Sequence, residues 1–254
     1  MIGIGAADLD AWLAAYLYPF FRIIALFSSA PMLSHASVPR LARIGLALLL
    51  TMLIAPVLPV QPLVSPFSLP GVLLIAQQVL IGVALGFVLQ VAFAAAELAG
   101  DMIGLQMGLS FASFIDPERS EQTPIIGSFL SLTMMLLFFA INGHLMLLGS
   151  LADSFRTLPM GIVDLHWLDG RNLALAGGTL FLYGMQIALP VIGALLLVNL
   201  ALGVLTRTAP QLNLLAVGFA VTLIVGMLVL LLGLPQLVPM LEGILVRGVT
   251  VVTR

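Results

Sequence analysis

Six long apolar runs, separated by short polar or proline-rich links, set the rhythm of the chain. They fall at about 11–33, 41–60, 71–96, 125–151, 173–205 and 212–241. A helix needs about 20 residues to cross the hydrocarbon layer, and each run comes close to that length or exceeds it. Leu, Ala, Gly and Met fill the runs without the strict alternation of barrel strands. Helix is the predicted element, because a spanning segment must satisfy its backbone N–H and C=O groups internally. The expected fold class is an all-α membrane protein.

The links refine this picture. Residues 34–40 end in Val38-Pro39-Arg40 and make a hairpin of the first two runs. Five prolines (Pro56, Pro59, Pro62, Pro66 and Pro70) stop any helix from continuing through 56–70. Residues 97–124 form the longest polar link, with Glu97, Asp101, Asp116, Glu118, Arg119 and Glu121. A second polar link covers 152–172, and Thr206 to Gln211 is a tight turn.

Composition agrees with the pattern. Apolar residues make up 61% of the 254 positions and charged residues 8%, against about 25% in a soluble domain. So few charges cannot cover a water-facing surface. Arginine supplies all nine positive charges, and the net charge of -2 leaves no basic stripe for nucleic acid. Without cysteine there are no disulfides and no thiolate metal sites. Asp8 and Asp10 precede the first run with no basic residue, so that run is expected to be retained as a span rather than cleaved as a signal. Arginine counts on the two sides tie, and the acidic N-terminal stretch favours an N-outside orientation.

Three features misfit six simple spans. Arg22 lies in the middle of the first run, where facing lipid would cost about 2.5–3.5 kcal/mol. The fifth run is long and holds Pro190 and Asn199, which predicts a kink. Pro19, Pro235 and Pro239 interrupt the first and last runs. Such helices belong in a protein assembly rather than singly in lipid.

The stretch from Gly104 to Pro117 is too polar to span and too apolar for an ordinary loop. Glycines permit tight turns, while Met107, Phe111 and Phe114 offer bulky, deformable groups. It either closes an aqueous path as a hydrophobic constriction or packs as an interfacial loop. Asn142 and His144, deep in the fourth run, are either functional polar groups or partners in interhelical hydrogen bonds of about 1 kcal/mol. Glu97 and Asp101, at i and i+4, share a helix face. They either take part in cation or proton handling or mark a solvated helix end. Gly82-x-x-x-Gly86 favours close helix packing. No catalytic constellation is present: Phe111 follows Ser110 where an intramembrane serine protease wants a small residue, and His35, His144 and His166 are scattered.

Taken in order, these motifs are specific. Arg22-Ile23, Ala30-Pro31, Val38-Pro39-Arg40 and Arg43 to Ala47 come first. Gly104-Leu105-Gln106-Met107-Gly108 then leads to Asp116-Pro117, followed by Asn142-Gly143-His144, Asp153-Ser154-Phe155 and Leu158 to Gly161. Thr206-Arg207-Thr208-Ala209-Pro210-Gln211-Leu212-Asn213 completes the set. Along essentially its whole length the chain resembles the FliR/SctT family of type III export-gate proteins.

The resemblance implies kinked helical hairpins packed into a multi-subunit helical gate, with FliP-like and FliQ-like subunits beside FlhA-like and FlhB-like proteins. It implies a FliP-like part over 1–172, including the 97–124 pore loop, and a FliQ-like hairpin over 173–254. The setting implied is the bacterial inner membrane, in the flagellar basal body, with part of the assembly on the periplasmic side. Unfolded polypeptides pass through the pore, and no enzymatic activity, cofactor, metal or nucleic acid is implied. Gly104, Met107, Gly108, Phe111, Phe114 and Asp116 map to a pore plug. Arg22, Asn142, His144 and Arg207 map to packing between helices or subunits. A virulence injectisome gate is the nearest alternative. A small-solute transporter, which would need a midplane site at broken helices, is more distant.

Overall fold

A computed structural model describes residues 6–35, 37–58, 64–109, 124–161, 170–208 and 214–253. Among the described residues the regular elements are all helical. They are α1 (Ala6–Ser29), α2 (Pro31–Ser34), α3 (Arg40–Ile54), α4 (Leu69–Gln106), α5 (Ile125–Ala140), α6 (Gly143–Thr157), α7 (Gly170–Thr208), α8 (Leu214–Gly233) and α9 (Leu237–Thr253). Five helical segments are long and apolar enough to cross a membrane, and α5 with α6 makes a sixth if that broken pair is one span. The chain is a multi-pass, all-α membrane protein.

Two boundaries depart from the sequence pattern, and a third break falls where a proline interrupts it. The third run does not stop at 96: α4 continues to Gln106 and carries Glu97 and Asp101 inside it. Its buried stripe of Ala95, Ala99, Ile103 and Met107 keeps helical spacing straight through the charges. The fourth run is two helices, broken at Ile141–Asn142, where Asn142 takes φ 57°. The sixth run is broken by a 3-10 turn, Leu234–Gln236, at Pro235, and helix resumes as α9. In α7, by contrast, helix is maintained through Pro190.

The chain divides into two compact units. The first comprises residues 1–90, 141–174 and 244–254. In it α1 and α3 pack together, with Ala47 and Thr51 as the buried positions of α3. Ser68 caps α4, its hydroxyl accepting the Gly71 N–H at 3.2 Å. The Tyr18 hydroxyl donates to the Val64 carbonyl at 2.9 Å and ties the proline-rich link to α1. Along α4, Gly82 and Gly86 lie directly on α1. An added Cβ at Gly82 would collide with the Arg22 carbonyl, and one at Gly86 with the Ser29 hydroxyl.

The second unit comprises residues 91–140 and 175–243. There Gly100 of α4 meets the backbone of Gly127 on α5, and Gly184 of α7 lies against Ala95 and Leu98. Ile126, Leu130, Met134 and Phe138 form the buried stripe of α5. Both units use small residues where helices approach most closely, as membrane helices do when dispersion replaces the hydrophobic effect.

Candidate functional site

The C-terminal end of α4 is built to stop. The Gly108 N–H donates to the Leu105 carbonyl at 3.1 Å and the Leu109 N–H to the Gly104 carbonyl at 3.0 Å. With Gly108 at φ 81°, this is a Schellman arrangement. Glycine is needed here because a side chain in the left-handed region meets the following carbonyl. Gly104, Met107 and Gly108 of the sequence-predicted loop are therefore its helical root. Met107 is 2% exposed and packs on Gly226 of α8. Phe111, Phe114 and Asp116 lie outside the described residues.

The second polar constellation is centred on Arg22, which is fully buried. Its Nε donates to Gln78 Oε1 at 2.7 Å. Nη1 donates to the Ser154 carbonyl at 2.8 Å and the Ser154 hydroxyl at 3.1 Å, and Nη2 to the Leu158 carbonyl at 2.8 Å. The guanidinium also lies 4.2 Å from the centroid of the Phe155 ring, within cation–π range. Ser154 and Leu158 stand at the end of α6, where carbonyls carry partial negative charge; the Ser154 carbonyl still accepts the Leu158 N–H at 2.9 Å, and Arg22 adds a second donor. Arg22 thus caps α6 while joining α1 to α4.

The remaining predicted residues do not gather into one site. Asn142 is exposed and has no side-chain capping bond; it supplies the left-handed residue at which α5 gives way to α6. His144 is half-buried on the first turn of α6. Arg207 is exposed in the last turn of α7, where a cation suits the helix end. Glu97 is exposed, and Asp101 directs Oδ1 toward Gly127.

A family model described as bacterial export proteins, family 1, matches residues 13–247. The chain belongs to that family. Flagellar biosynthetic protein FliR of Escherichia coli (strain K12) is 46% identical over 242 residues, covering 95% of this chain and 92% of that protein. FliR of Pectobacterium carotovorum subsp. carotovorum is 44% identical over 243 residues, with the same coverage. FliR of Bacillus subtilis (strain 168) is 32% identical over 220 residues, 85% of each chain.

In this bacterial export protein, sequence reasoning singled out Arg22 but missed its partners Gln78, Ser154 and Phe155. It likewise missed Thr222 and Gly226, which meet Met107. Gln78 had a usable signal as half of a Gln77-Gln78 pair inside an apolar run. Ser154 and Phe155 lie in the Asp153-Ser154-Phe155 motif, but nothing in the sequence ties them to Arg22, 132 positions before Ser154.

Proposed function

We propose that this export-family protein is a non-enzymatic subunit of the flagellar type III export gate in the bacterial inner membrane. The gate's pore forms with FliP-like and FliQ-like subunits, beside FlhA-like and FlhB-like proteins, and unfolded flagellar subunits pass through it. The match of nearly the whole chain to proteins named FliR carries this reading. Those relatives bear flagellar names, which favours the flagellar branch over an injectisome. Residues 1–172 act as the FliP-like part and 173–254 as the FliQ-like hairpin; α7 and α8, joined through 209–213, suit the second role. Arg207, with the Arg22 and Asn142–His144 regions, serves packing between helices and subunits.

The link that leaves α4 at Gly108 is the plug. Apolar side chains in a narrow aqueous path exclude water and raise the barrier to ions. Phe111 and Phe114 supply that apolar surface. They yield to an extended polypeptide without reading its sequence, since dispersion contacts are not directional. Deletion of residues 111–116 is the test, read as ion conductance and motility in cells that retain the assembled complex. A leaky membrane is expected. A tight membrane with normal motility would remove the plug from the mechanism.

A further inference from the structure

Met107 is the last residue before the chain turns into the central link, and its surroundings are closed. A Cβ placed on Gly226 would lie 2.9 Å from Met107 Cγ, 3.0 Å from Cε and 3.1 Å from Sδ. Three atoms of the methionine therefore rest on bare backbone. One turn earlier on α8, the buried Thr222 hydroxyl donates to the Phe219 carbonyl at 3.0 Å and stands 3.5 Å from the Met107 carbonyl. At that length the second contact is marginal, so the side-chain seat is the principal attachment.

Glycine within a helix costs about 1 kcal/mol relative to alanine, so its use at 226 calls for a reason. The other glycines of α8 show none of this crowding: Gly218 meets only a Leu202 methyl at 3.5 Å, and Gly233 has nothing within 4 Å. Methionine has three side-chain rotors and ordinarily adapts to its surroundings. Here the notch confines it. Immediately afterwards Gly108 turns at φ 81°, a conformation that glycine adopts and leaves at little steric cost.

We propose that Met107 and Gly226 are positioning residues, a contact that stays closed throughout export and fixes the root of the central link on α8. Met107 is not one of the side chains that form the seal. The inference rests on the export-gate reading and adds the contact that holds the end of α4 in place.

The chain has no cysteine, so Met107→Cys with Gly226→Cys creates a single pair. With residue 226 Cβ 2.9 Å from the Cγ position of residue 107, the two Cβ atoms are at most about 4.4 Å apart, below the roughly 4.5 Å upper limit of a disulfide. The pair is oxidised in cells carrying the assembled complex, thiol loss is read by maleimide mass-tagging, and secretion of a flagellar subunit is measured before and after reduction. Ready cross-linking with no loss of secretion is expected. Failure to cross-link, or secretion lost on oxidation and regained on reduction, overturns the proposal.

Gly226→Leu provides a second route. It displaces Met107 and is expected to leak ions, with tightness regained in Gly226→Leu combined with Met107→Ala. A tight single variant, or no rescue, also overturns the anchor. Failure of the gate reading looks different: cells lacking the whole chain then secrete flagellar subunits normally, whatever the cross-link does.

Discussion

Arg22 is a buried cation whose four hydrogen bonds all go to neutral acceptors. Its charge is balanced by the carbonyl end of α6 and the face of Phe155. Removing the guanidinium strands the Leu158 carbonyl, at about 1–3 kcal/mol for a buried group left unpaired, and leaves the Ser154 carbonyl only the Leu158 N–H at 2.9 Å. Arg22→Gln is therefore expected to lower the thermal midpoint of the detergent-solubilised protein markedly. The Gln78 side chain is fully buried, and its Nε2 has no partner among the described residues while Oε1 serves Arg22. Gln78→Glu would remove the stranded donor and give the guanidinium a carboxylate. Its thermal midpoint is expected to equal or exceed that of the natural chain; a clear drop would show that desolvating the carboxylate outweighs both gains.

Glycine has opposite meanings at different places in these helices. At Gly82 an added Cβ would enter the backbone of α1, whereas at Gly45 of α3 nothing lies within 4 Å. Gly82→Ala should force α1 and α4 apart, destabilising the protein despite the better helix former. Gly45→Ala should be neutral or stabilising by up to about 1 kcal/mol. Thermal unfolding of the two variants side by side checks this, and equal midpoints would mean that the α1–α4 approach is not tight. Breaks follow a parallel logic. Asn142 tolerates the left-handed region because its short polar side chain suits it, and Pro235 withholds an N–H from the helix. The break at Asn142 sits where the apolar run alone predicts an unbroken span, whereas Pro235 announces its own.

Among the described residues large apolar side chains remain uncovered on several elements. Leu41, Met52 and Leu53 on α3 are 83%, 66% and 63% exposed, and Leu197 and Leu200 on α7 are 70% and 68% exposed. Asn199 is exposed beside them, inside a 32-residue apolar span. An amide facing lipid lacks partners, so this side of α7 suits protein better than hydrocarbon. A photo-crosslinking residue at Leu200 is expected to give adducts with neighbouring export subunits in the assembled complex. Adducts with lipid alone would return that face to the bilayer.

The sequence by itself determined the helical class, the number of membrane-length runs and the family, because hydrocarbon admits few alternatives and the motifs keep their order. It also marked Arg22 as too costly for lipid and the stretch from Gly104 to Pro117 as out of place in a simple span. Composition could not say what neutralises Arg22. The answer is a helix end 132 residues away, a property of backbone direction rather than of residue type. Nor could the charges at 97 and 101 say that α4 continues past them, since the buried face that holds it helical is supplied by α5 and α7. Met107 read as a loop residue because its neighbours are loop-like. Only folding brings Gly226 beneath it, and whether a flexible side chain is free or seated depends on that contact.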